Sequence, residues 1–447
     1  MVELVLLSTG VPGLDEVLGG GIPEHSFTIV AGHPAAGKTT LAQQIVFANA
    51  SEDEPAAYFT GAGESVYKLC RHLASLTFFK PERLERDVHF VDIAPHGTER
   101  DAGRALDLVQ HALQSRLPGL VVVDIPPSLT PESMFVELGR LLASSCATTV
   151  LITNGEPPDA LLSLADTVLR MEARTVEAIK SRGREAMPGR HAVSIGEKGV
   201  RVFPRWPTPR PRAKRSCERL STGVDALDSL MAGGILAGDS VLVEGPSGSG
   251  KTVLATQFIA ESAHMGLPSL VVLSEERPER WLARGEHLDL EVHRLHQTGL
   301  LEFVSARGRD IAPDELAYVV HRTALGMNAR SVLIDSSLGL QLVTQTMDPR
   351  DWLWRLLDRL SADGVTAWVN HSPAGDQLGA LFDNVIRLRR VEHNGQMQTR
   401  LELAKASLRP TGPALMPYTI GPRGLHIIPQ EDYRPTNGHL VSYRIAG

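Results

Sequence analysis

The chain has 447 residues, of which 43% are apolar and 22% are charged, and its formal net charge is −7. This length predicts two or three domains, and the acidic balance argues against a nucleic-acid-binding surface that covers the whole chain. Three scattered cysteines form no CxxC pair, which favours a reduced cytoplasmic setting over a disulfide framework or a zinc site. The short apolar start lacks a basic segment and no long apolar run occurs, so we expect neither a secretory signal nor a membrane span.

The first element that carries chemistry is the glycine loop at residues 32–39, which reads G-H-P-A-A-G-K-T and fits G-x-x-x-x-G-K-[ST]. It follows the apolar run Phe27–Ala31 and precedes a helical pattern, which is the context that phosphate binding requires. Glycines let backbone N–H groups approach phosphate oxygens, and the helix adds its positive dipole end. Lys38 would reach the β- and γ-phosphates, and Thr39 would offer a hydroxyl to Mg²⁺.

Downstream of this loop, apolar runs alternate with helical patterns. Strands are predicted at Ala56–Thr60 and Val88–Ile93, a helix at Arg104–Leu117, and a doubly buried parallel strand at Leu120–Asp124. Because ligands bind beyond the carboxyl ends of parallel strands, Asp124 is expected to hold Mg²⁺ through water. The alternative for Asp124 is a strand-end acid that caps a helix.

Two later strands, at Thr149–Thr153 and Thr167–Met171, and a hairpin complete the first half of the chain. Residues 205–215 follow, with three prolines, five basic residues and no acid. This composition predicts a semi-stiff linker, although its charge also permits contact with nucleic acid.

The second half repeats the first. Ser8-Thr9-Gly10-Val11 recurs at residues 221–224, and the same offset separates Lys38 from Lys251. The second loop, G-P-S-G-S-G-K-T at residues 245–252, follows the run Val241–Glu244, and Asp335 ends a strand that corresponds to the one ending at Asp124. Further strands are predicted at Thr366–Val369 and Val385–Leu388. Asn154 and the polar residues 370–372 are candidates for sensing the γ-phosphate.

The fold class predicted from this pattern is α/β, with two tandem P-loop domains, each a mostly parallel central sheet flanked by helices, and the resemblance described next makes them RecA-like ATPase domains. The predicted boundaries are 1–204 for the first domain, 205–215 for the linker, 216–430 for the second domain and 431–447 for a C-terminal tail.

The opening S-T-G-V-P-G-L-D-E-V-L-G-G-G-I-P, the glycine loops, the strand-end acids and the tandem copy together resemble the KaiC-like branch of the RecA/DnaB-type ATPases. The resemblance covers nearly the whole chain. It implies binding of ATP with Mg²⁺ and assembly into a homo-oligomer, a two-tiered hexameric ring in ATP. Each ATP would lie between neighbouring subunits and be completed by a Lys/Arg pair from the next subunit.

The match to this family differs between the two copies. The family's paired glutamate, which aligns the attacking water, is present in the second copy as Glu275 and Glu276. In the first copy the same distances fall on Ala62 and Gly63, and Glu64 lies one residue later. Whether Glu64 replaces the pair stays open.

The Lys/Arg pair that the family supplies from the neighbouring subunit, called the finger below, has the form K-x-R-G. It shows the opposite distribution between the two copies. The first copy carries it as Lys180 and Arg182, and the alternative is a basic strand edge that faces solvent. In the second copy Lys405 is followed by Ser407 at the arginine position. Arg409 lies two residues further on, and whether it substitutes stays open.

The sequence therefore predicts slow ATP hydrolysis, carried mainly by the second copy, in a nucleotide-dependent regulator with an unidentified protein partner. Clock-type members have a Ser-Thr pair before the acid that precedes the last core strand, whereas here residues 379–382 (G-A-L-F) precede Asp383, so autophosphorylation at that place is excluded. The alternatives are a scaffold that binds ATP without hydrolysis and a DNA-dependent recombinase or helicase motor. The acidic balance and the lack of an aromatic, basic loop argue against the motor and against nucleic-acid partners.

The predicted site residues fall into three groups. The nucleotide-binding residues are Gly32, Gly37, Lys38, Thr39, Thr40, Gly245, Ser247, Gly248, Ser249, Gly250, Lys251, Thr252 and Val253. The predicted Mg²⁺ residues are Thr39, Asp124, Thr252 and Asp335. The predicted catalytic residues are Lys251, Glu275, Glu276, Lys180 and Arg182.

Overall fold

The structure is a computed structural model that describes residues 4–61, 66–93, 99–115, 118–124, 132–206, 217–306, 311–336, 349–372, 378–393, 396–407 and 415–428. The chain divides into two compact units, Met1–Pro207 and Thr208–Gly447. Most of the predicted linker and the whole predicted C-terminal tail lie outside the described residues, so the four domain boundaries given above stay predictions.

The first unit contains eleven strands and six α-helices in its described residues. The strands are β1 Leu6–Leu7, β2 Ile22–Pro23, β3 Phe27–Gly32, β4 Ala56–Thr60, β5 Val88–Asp92, β6 Leu120–Asp124, β7 Thr148–Asn154, β8 Thr167–Glu172, β9 Thr175–Ser181, β10 Arg190–Gly196 and β11 Gly199–Phe203. The helices are α1 Leu14–Val17, α2 Lys38–Asn49, α3 Val66–Leu73, α4 Glu99–Ser115, α5 Glu132–Ala143 and α6 Asp159–Leu164, with a 3₁₀ turn at Pro81–Arg83.

Nine of these strands form one sheet in the order β11-β10-β9-β8-β3-β7-β6-β4-β5. The strands from β8 to β5 in this order run parallel, and β9, β10 and β11 extend the sheet in antiparallel fashion. The strand that bears the glycine loop, β3, lies between β7 and β8. The loop therefore leaves from the middle of the sheet, where β6 and β7 end at the same edge.

The second unit repeats this plan. Its strands are β12 Arg219–Leu220, β13 Ile235–Leu236, β14 Ser240–Glu244, β15 Ser269–Leu273, β16 Leu301–Ser305, β17 Ser331–Asp335, β18 Thr366–His371, β19 Asn384–His393, β20 Gln396–Lys405, β21 Leu415–Gly421 and β22 Gly424–Ile427. Its helices are α7 Asp225–Leu230, α8 Lys251–His264, α9 Pro278–His287, α10 Val292–Gln297, α11 Pro313–Gly326 and α12 Pro349–Ala362, with a 3₁₀ turn at Leu378–Leu381.

The second nine-stranded sheet has the order β16-β15-β17-β18-β14-β19-β20-β21-β22. The strands from β16 to β19 are parallel and the last three are antiparallel, as in the first unit. The predicted fold class is thus confirmed in both halves.

Each sheet is buried on both faces. In β6, Leu120 and Val122 pack into one apolar cluster, whereas Val121 and Val123 pack into another cluster on the opposite face. This arrangement requires the continuous apolar run that the sequence shows, because successive side chains of a strand point to opposite faces. The predicted strand Leu120–Asp124 has the observed bounds.

Two elements differ from the sequence prediction by more than two residues at one end. Helix α4 begins at Glu99 instead of Arg104, because the polar residues before the apolar pattern form its first turns. Strand β19 runs from Asn384 to His393 and exceeds the predicted Val385–Leu388. Its polar half is held by pairing with β20 rather than by burial, which an apolar run does not reveal.

Candidate functional site

Both glycine loops connect a buried strand to a helix. Helix α2 begins at Lys38 and α8 at Lys251, and each is preceded by a glycine in the left-handed region, Gly37 at φ 93° and Gly250 at φ 98°. A Cβ on Gly37 would lie 2.2 Å from Ile195 Cδ1 and one on Gly250 would lie 2.7 Å from Ile420 Cδ1. These places require glycine for both backbone conformation and space.

Among the positions at which the loops differ, one has a left-handed backbone in both copies. Gly248 of the second loop has φ 74°, and its counterpart Ala35 in the first loop has φ 64°. A residue with a Cβ pays roughly 1–2 kcal/mol for this conformation. The first loop thus carries local strain that the second avoids. The remaining predicted nucleotide-binding residues lie in the loops or in the first helical turns: Gly32, Thr40, Gly245, Ser247, Ser249 and Val253.

The two loop lysines fold back over their own loops. Lys38 Nζ donates to the carbonyl of His33 at 2.7 Å, and Lys251 Nζ donates to the carbonyls of Gly245 at 2.7 Å and Pro246 at 3.0 Å. Burial lowers the pKa of both ammonium groups, against the opposing charge of an acid in each copy. Each ammonium group therefore lies over its loop beside the strand-end carboxylate.

The strand-end acid of the first copy lies beside the loop threonine, as predicted. Thr39 Oγ1 donates to Asp124 Oδ2 at 2.7 Å, and the buried hydroxyl of Tyr58 donates to the same oxygen at 2.9 Å. Burial raises the pKa of Asp124, and the two hydrogen bonds and the charge of Lys38 oppose this shift. A hydroxyl next to a carboxylate supplies the hard oxygen ligands that Mg²⁺ prefers.

In the second copy, the acid has a different buried partner. Asn370 Nδ2 donates to Asp335 Oδ1 at 3.1 Å, and Trp368 Nε1 donates to Asn370 Oδ1 at 3.1 Å. Burial raises the pKa of Asp335, and hydrogen bonds from Asn370 and Thr252 oppose the shift. Thr252 and Asp335 thus form the same hydroxyl–carboxylate pair, which fits Mg²⁺. Asn370 is a candidate sensor of the γ-phosphate, and its side-chain amide contacts the strand-end acid of the same site.

The sheet registers show that a different strand supplies the buried donor to the strand-end acid in each copy. In the first sheet, Tyr58 lies two residues before the strand residue that pairs with Asp124. The equivalent residue of the second sheet, two before the partner of Asp335, is Val271. Conversely, Asn370 pairs with Val243 in the second sheet, and Ile152 holds the same place in the first. Sequence reasoning missed Tyr58 because its neighbour across the sheet depends on the strand order.

The two predicted glutamates of the second copy have separate roles in the hydrogen-bond network. The hydroxyl of Ser336 donates to Glu275, whereas Glu276 forms an ion pair with Arg284 of α9. The charge of Glu275 also acts on Lys251, which places it beside the loop lysine. In the first copy, Ala62, Gly63 and Glu64 lie outside the described residues.

The predicted finger residues lie far from their own glycine loop. Arg182 pairs with Asp166 at 2.9 Å, and Asp166 Oδ2 accepts from the backbone N–H of Phe27, the first residue of β3. Lys180 donates to the carbonyls of Leu162 at 2.8 Å and Ser163 at 3.2 Å, at the end of α6. The loop leaves the opposite end of β3. Neither side chain therefore belongs to the glycine-loop site of its own chain.

Ser407 occupies the finger position in the second copy and offers no positive charge. Its backbone N–H donates to Asn384 Oδ1 at 3.1 Å, and its side chain lines a cavity of about 20 Å³ with Arg219 and Asp239. Arg409, the other candidate, lies outside the described residues. In the described part of the chain, no helix is long and apolar enough to cross a membrane.

Comparison with known proteins places these sites in a family. The family model "ATPase: KaiC" matches residues 7–124 and 220–432, which together include both glycine loops and both strand-end acids. The circadian clock oscillator protein KaiC of Parasynechococcus marenigrum is 24% identical over 440 residues, covering 89% of this chain and 85% of that relative. The circadian clock protein KaiC2 of Synechocystis sp. is 24% identical over 447 residues, covering 90% of this chain and 78% of that relative. With two tandem RecA-like domains and a nucleotide-type glycine loop in each, the chain belongs to the KaiC ATPase family.

Proposed function

We propose that this protein binds ATP with Mg²⁺ in both copies, hydrolyses it slowly and mainly in the second copy, and acts as a nucleotide-dependent oligomeric regulator. The observation that carries the proposal is the set of groups around the second loop. Lys251, Thr252, Asp335 and Glu275 meet there, and each has a role in phosphoryl transfer to water.

The residues of the second site divide the work. The loop amides and Lys251 would bind the β- and γ-phosphates, and Thr252 with Asp335 would hold Mg²⁺, which would supply charge neutralisation. Glu275 is fixed by the Ser336 hydroxyl and accepts a proton from the attacking water. Glu276 is held by Arg284 and therefore less free to act as the base.

The placement of Lys180 and Arg182 supports an oligomer. Both are anchored near the start of β3, so they serve a nucleotide only if it belongs to a neighbouring subunit. A finger arginine contributes roughly 10³–10⁵ in rate. The first copy has Ala62 and Gly63 at the positions of the paired glutamate, so this rate effect has no matching base at those positions. We therefore propose that the first tier uses Arg182 chiefly to join subunits around bound ATP, in a ring of six as the family resemblance implies.

The absence of an arginine at Ser407 explains the expected slow turnover of the second tier. It also supports the second candidate function, a scaffold that binds ATP without useful hydrolysis. A rate of phosphate release above about 10⁻² s⁻¹, typical of a site with an arginine in place, contradicts the scaffold. Residues 379–382 carry no hydroxyl before Asp383, so the proposed regulator does not autophosphorylate there.

The deciding experiment compares Lys38→Ala with Lys251→Ala in the full chain. We expect Lys251→Ala to abolish ATP hydrolysis, and Lys38→Ala to leave most of it while weakening ATP-dependent assembly, measured as oligomeric mass. The reverse pattern contradicts the assignment of turnover to the second copy.

A matched pair tests the role of the finger in assembly. Arg182→Ala should reduce the oligomeric mass in ATP. Arg170→Ala should not, although it removes an arginine of β8 that is paired with Glu156. A mass that is monomeric with and without ATP and Mg²⁺ contradicts the oligomer proposal altogether.

A further inference from the structure

The second glycine loop is held from outside by two side chains of the late, antiparallel part of the sheet. Arg390 of β19 donates from Nη2 to the carbonyl of Gly248 at 2.7 Å. Tyr418 of β21 donates from its hydroxyl to the carbonyl of the next residue, Ser249, at 2.5 Å. Two consecutive peptide groups of the loop are therefore fixed by the same antiparallel extension.

The first copy lacks both donors. Ile195 and Ile420 occupy the same place in the two late hairpins, so Tyr418 corresponds to Val193, two residues before the isoleucine. Strand β8 ends at Glu172, and the chain is already turning at Ala173, where the register places the counterpart of Arg390. Among the described residues, no side chain donates to the carbonyls of the equivalent loop residues, 35 and 36.

Peptide geometry converts this contact into a phosphate-binding effect. In a trans peptide, the C=O and N–H groups point in opposite directions. When Tyr418 holds the carbonyl of Ser249 outward, the N–H of Gly250 points to the inner side of the loop, where a phosphate binds. Gly248 and Gly250 both have positive φ and no Cβ, so the free loop has other conformations within reach.

Arg390 differs from the other arginines of its strand. Arg387 pairs with Glu244 at 2.9 Å, and Arg389 pairs with Glu402 at 2.7 Å. Arg390 has no ion pair among the described residues, and its guanidinium remains exposed beside the loop. In the part of the chain that the structure describes, no carboxylate therefore competes with the loop carbonyl for this guanidinium.

Tyr418 is suited to a constant donor role. The side chain is 2% exposed, and burial raises its pKa to about 12 against the opposing charge of Arg390. The hydroxyl therefore keeps its proton throughout the neutral range and donates to the loop carbonyl at every pH at which the enzyme works.

We propose that Arg390 and Tyr418 are positioning residues that preorganise the second glycine loop for the β-phosphate, a device that the first loop does not have. The inference rests on the proposed function, because it assumes that the second loop binds ATP. A preorganised loop loses less free energy to ordering when the nucleotide binds. Nucleotide affinity at the second site therefore depends on this pair. The two residues act through the loop backbone and do not touch the reacting atoms.

The test uses the full chain with Lys38→Ala to silence the first site, and measures the Kd for ADP and ATP. We expect Arg390→Ala and Tyr418→Phe each to weaken both nucleotides by about fivefold to thirtyfold, the effect of one lost hydrogen bond to a group that must be ordered. Arg389→Ala, which removes the neighbouring arginine on the other face of the strand, is the matched control and should change neither Kd.

The comparison of ADP with ATP separates two roles. Equal losses for both nucleotides support positioning of the loop, whereas a loss confined to ATP, together with a lower kcat, assigns Arg390 to the γ-phosphate and overturns the proposal. Because both donors hold one loop, the double variant should lose less than the product of the two single losses.

A second readout does not depend on nucleotide. Hydrogen exchange of the loop amides in the ligand-free protein should be faster in Arg390→Ala and Tyr418→Phe than in Arg389→Ala. If Lys251→Ala in the same background leaves ADP binding intact, the proposed function fails. If Lys251→Ala abolishes binding but Arg390→Ala and Tyr418→Phe behave like Arg389→Ala in both measurements, only the positioning role is refuted.

Discussion

The buried hydroxyl of Tyr58 donates to Oδ2 of Asp124 at 2.9 Å, the oxygen that also accepts from Thr39. Tyr58 is fully buried, so the space that its hydroxyl leaves after substitution is closed to solvent. We expect Tyr58→Phe to reduce the free energy of unfolding of the first domain by about 1.5–3 kcal/mol, because the donor serves a charged group. Denaturant unfolding of the nucleotide-free protein measures this change.

The acceptor provides the control for Tyr58→Phe. In an Asp124→Asn background, Tyr58→Phe should cost clearly less, because the acceptor no longer carries a charge. Additive losses in the double variant would show that the contribution of the Tyr58 hydroxyl does not depend on the charge of Asp124.

Asn370 has the corresponding task in the second copy. Asn370→Ile introduces the residue that the first copy has at this register, Ile152, and leaves Asp335 without its buried donor. We expect ATP turnover to fall about 10–100-fold, as is usual when a partner of a metal-binding residue is removed. Steady-state phosphate release and the Mg²⁺ concentration that it requires are the measurements.

The control for Asn370→Ile is Ser269→Ala, which removes a buried hydroxyl at the far end of the same sheet, where it lies 2.7 Å from the Ser331 hydroxyl. Ser269→Ala should leave turnover unchanged. Equal losses in both variants would mean that general destabilisation, and not the orientation of Asp335, causes the effect.

The two glutamates should separate by substitution. Glu275→Gln keeps the shape of the side chain and should lower hydrolysis by about 10²–10⁴-fold, with ATP binding retained, because it removes the proton acceptor. Glu276→Gln should instead reduce stability through the loss of the Arg284 ion pair and leave most of the turnover. Single-turnover hydrolysis and thermal unfolding of both variants give the comparison, and a reversed order of rates would make Glu276 the base.

A buried histidine gives the first domain a pH dependence. His191 is fully buried, its Nδ1 accepts from the backbone N–H of Arg205 at 2.9 Å, and its Nε2 lies 3.2 Å from the carbonyl of Met187. These contacts fix the neutral tautomer with the proton on Nε2. Desolvation lowers the pKa of His191 below its ordinary value of 6.5, with a smaller contribution from the charge of Arg205.

The sign of this pH dependence follows from proton linkage. Below pH 6.5 the unfolded chain takes up a proton that the folded chain refuses, so stability present above pH 6.5 is lost as the pH falls towards the lowered pKa. His191→Gln should flatten the decrease in denaturation midpoint between pH 7 and pH 5. An unchanged slope would show that another group is responsible.

The sequence predicted the strands well because doubly buried parallel strands leave an unbroken apolar run, as in Leu120–Asp124. It also assigned Thr39 with Asp124, and Thr252 with Asp335, to Mg²⁺ sites, and the side chains of each pair are hydrogen-bonded, since strand ends and the glycine loop meet at one edge of such a sheet. The donors Tyr58 and Tyr418 could not be predicted in this way. Their partners come from strands distant in sequence, and in a sequence both residues look like ordinary core aromatics.

The exchange of donors between the copies has the same explanation. Tyr58 and Asn370 sit on strands that flank the acid-bearing strand on opposite sides, so each can supply the hydrogen bond that a buried carboxylate needs. A sequence shows one copy with a tyrosine and the other with an asparagine. Only the strand order shows that they solve the same problem.

The anchoring of Arg182 at the beginning of β3 has a consequence for how such a protein is controlled. If the protein assembles as proposed, a subunit that cannot supply its own finger becomes complete only on meeting another, so the first tier would depend on protein concentration as well as on nucleotide. We expect that dilution of the purified protein at fixed ATP dissociates the contacts between first domains before it weakens nucleotide binding at the second site. The cellular concentration of the protein would then control assembly, because Arg182 is anchored at the start of β3 and cannot reach its own site.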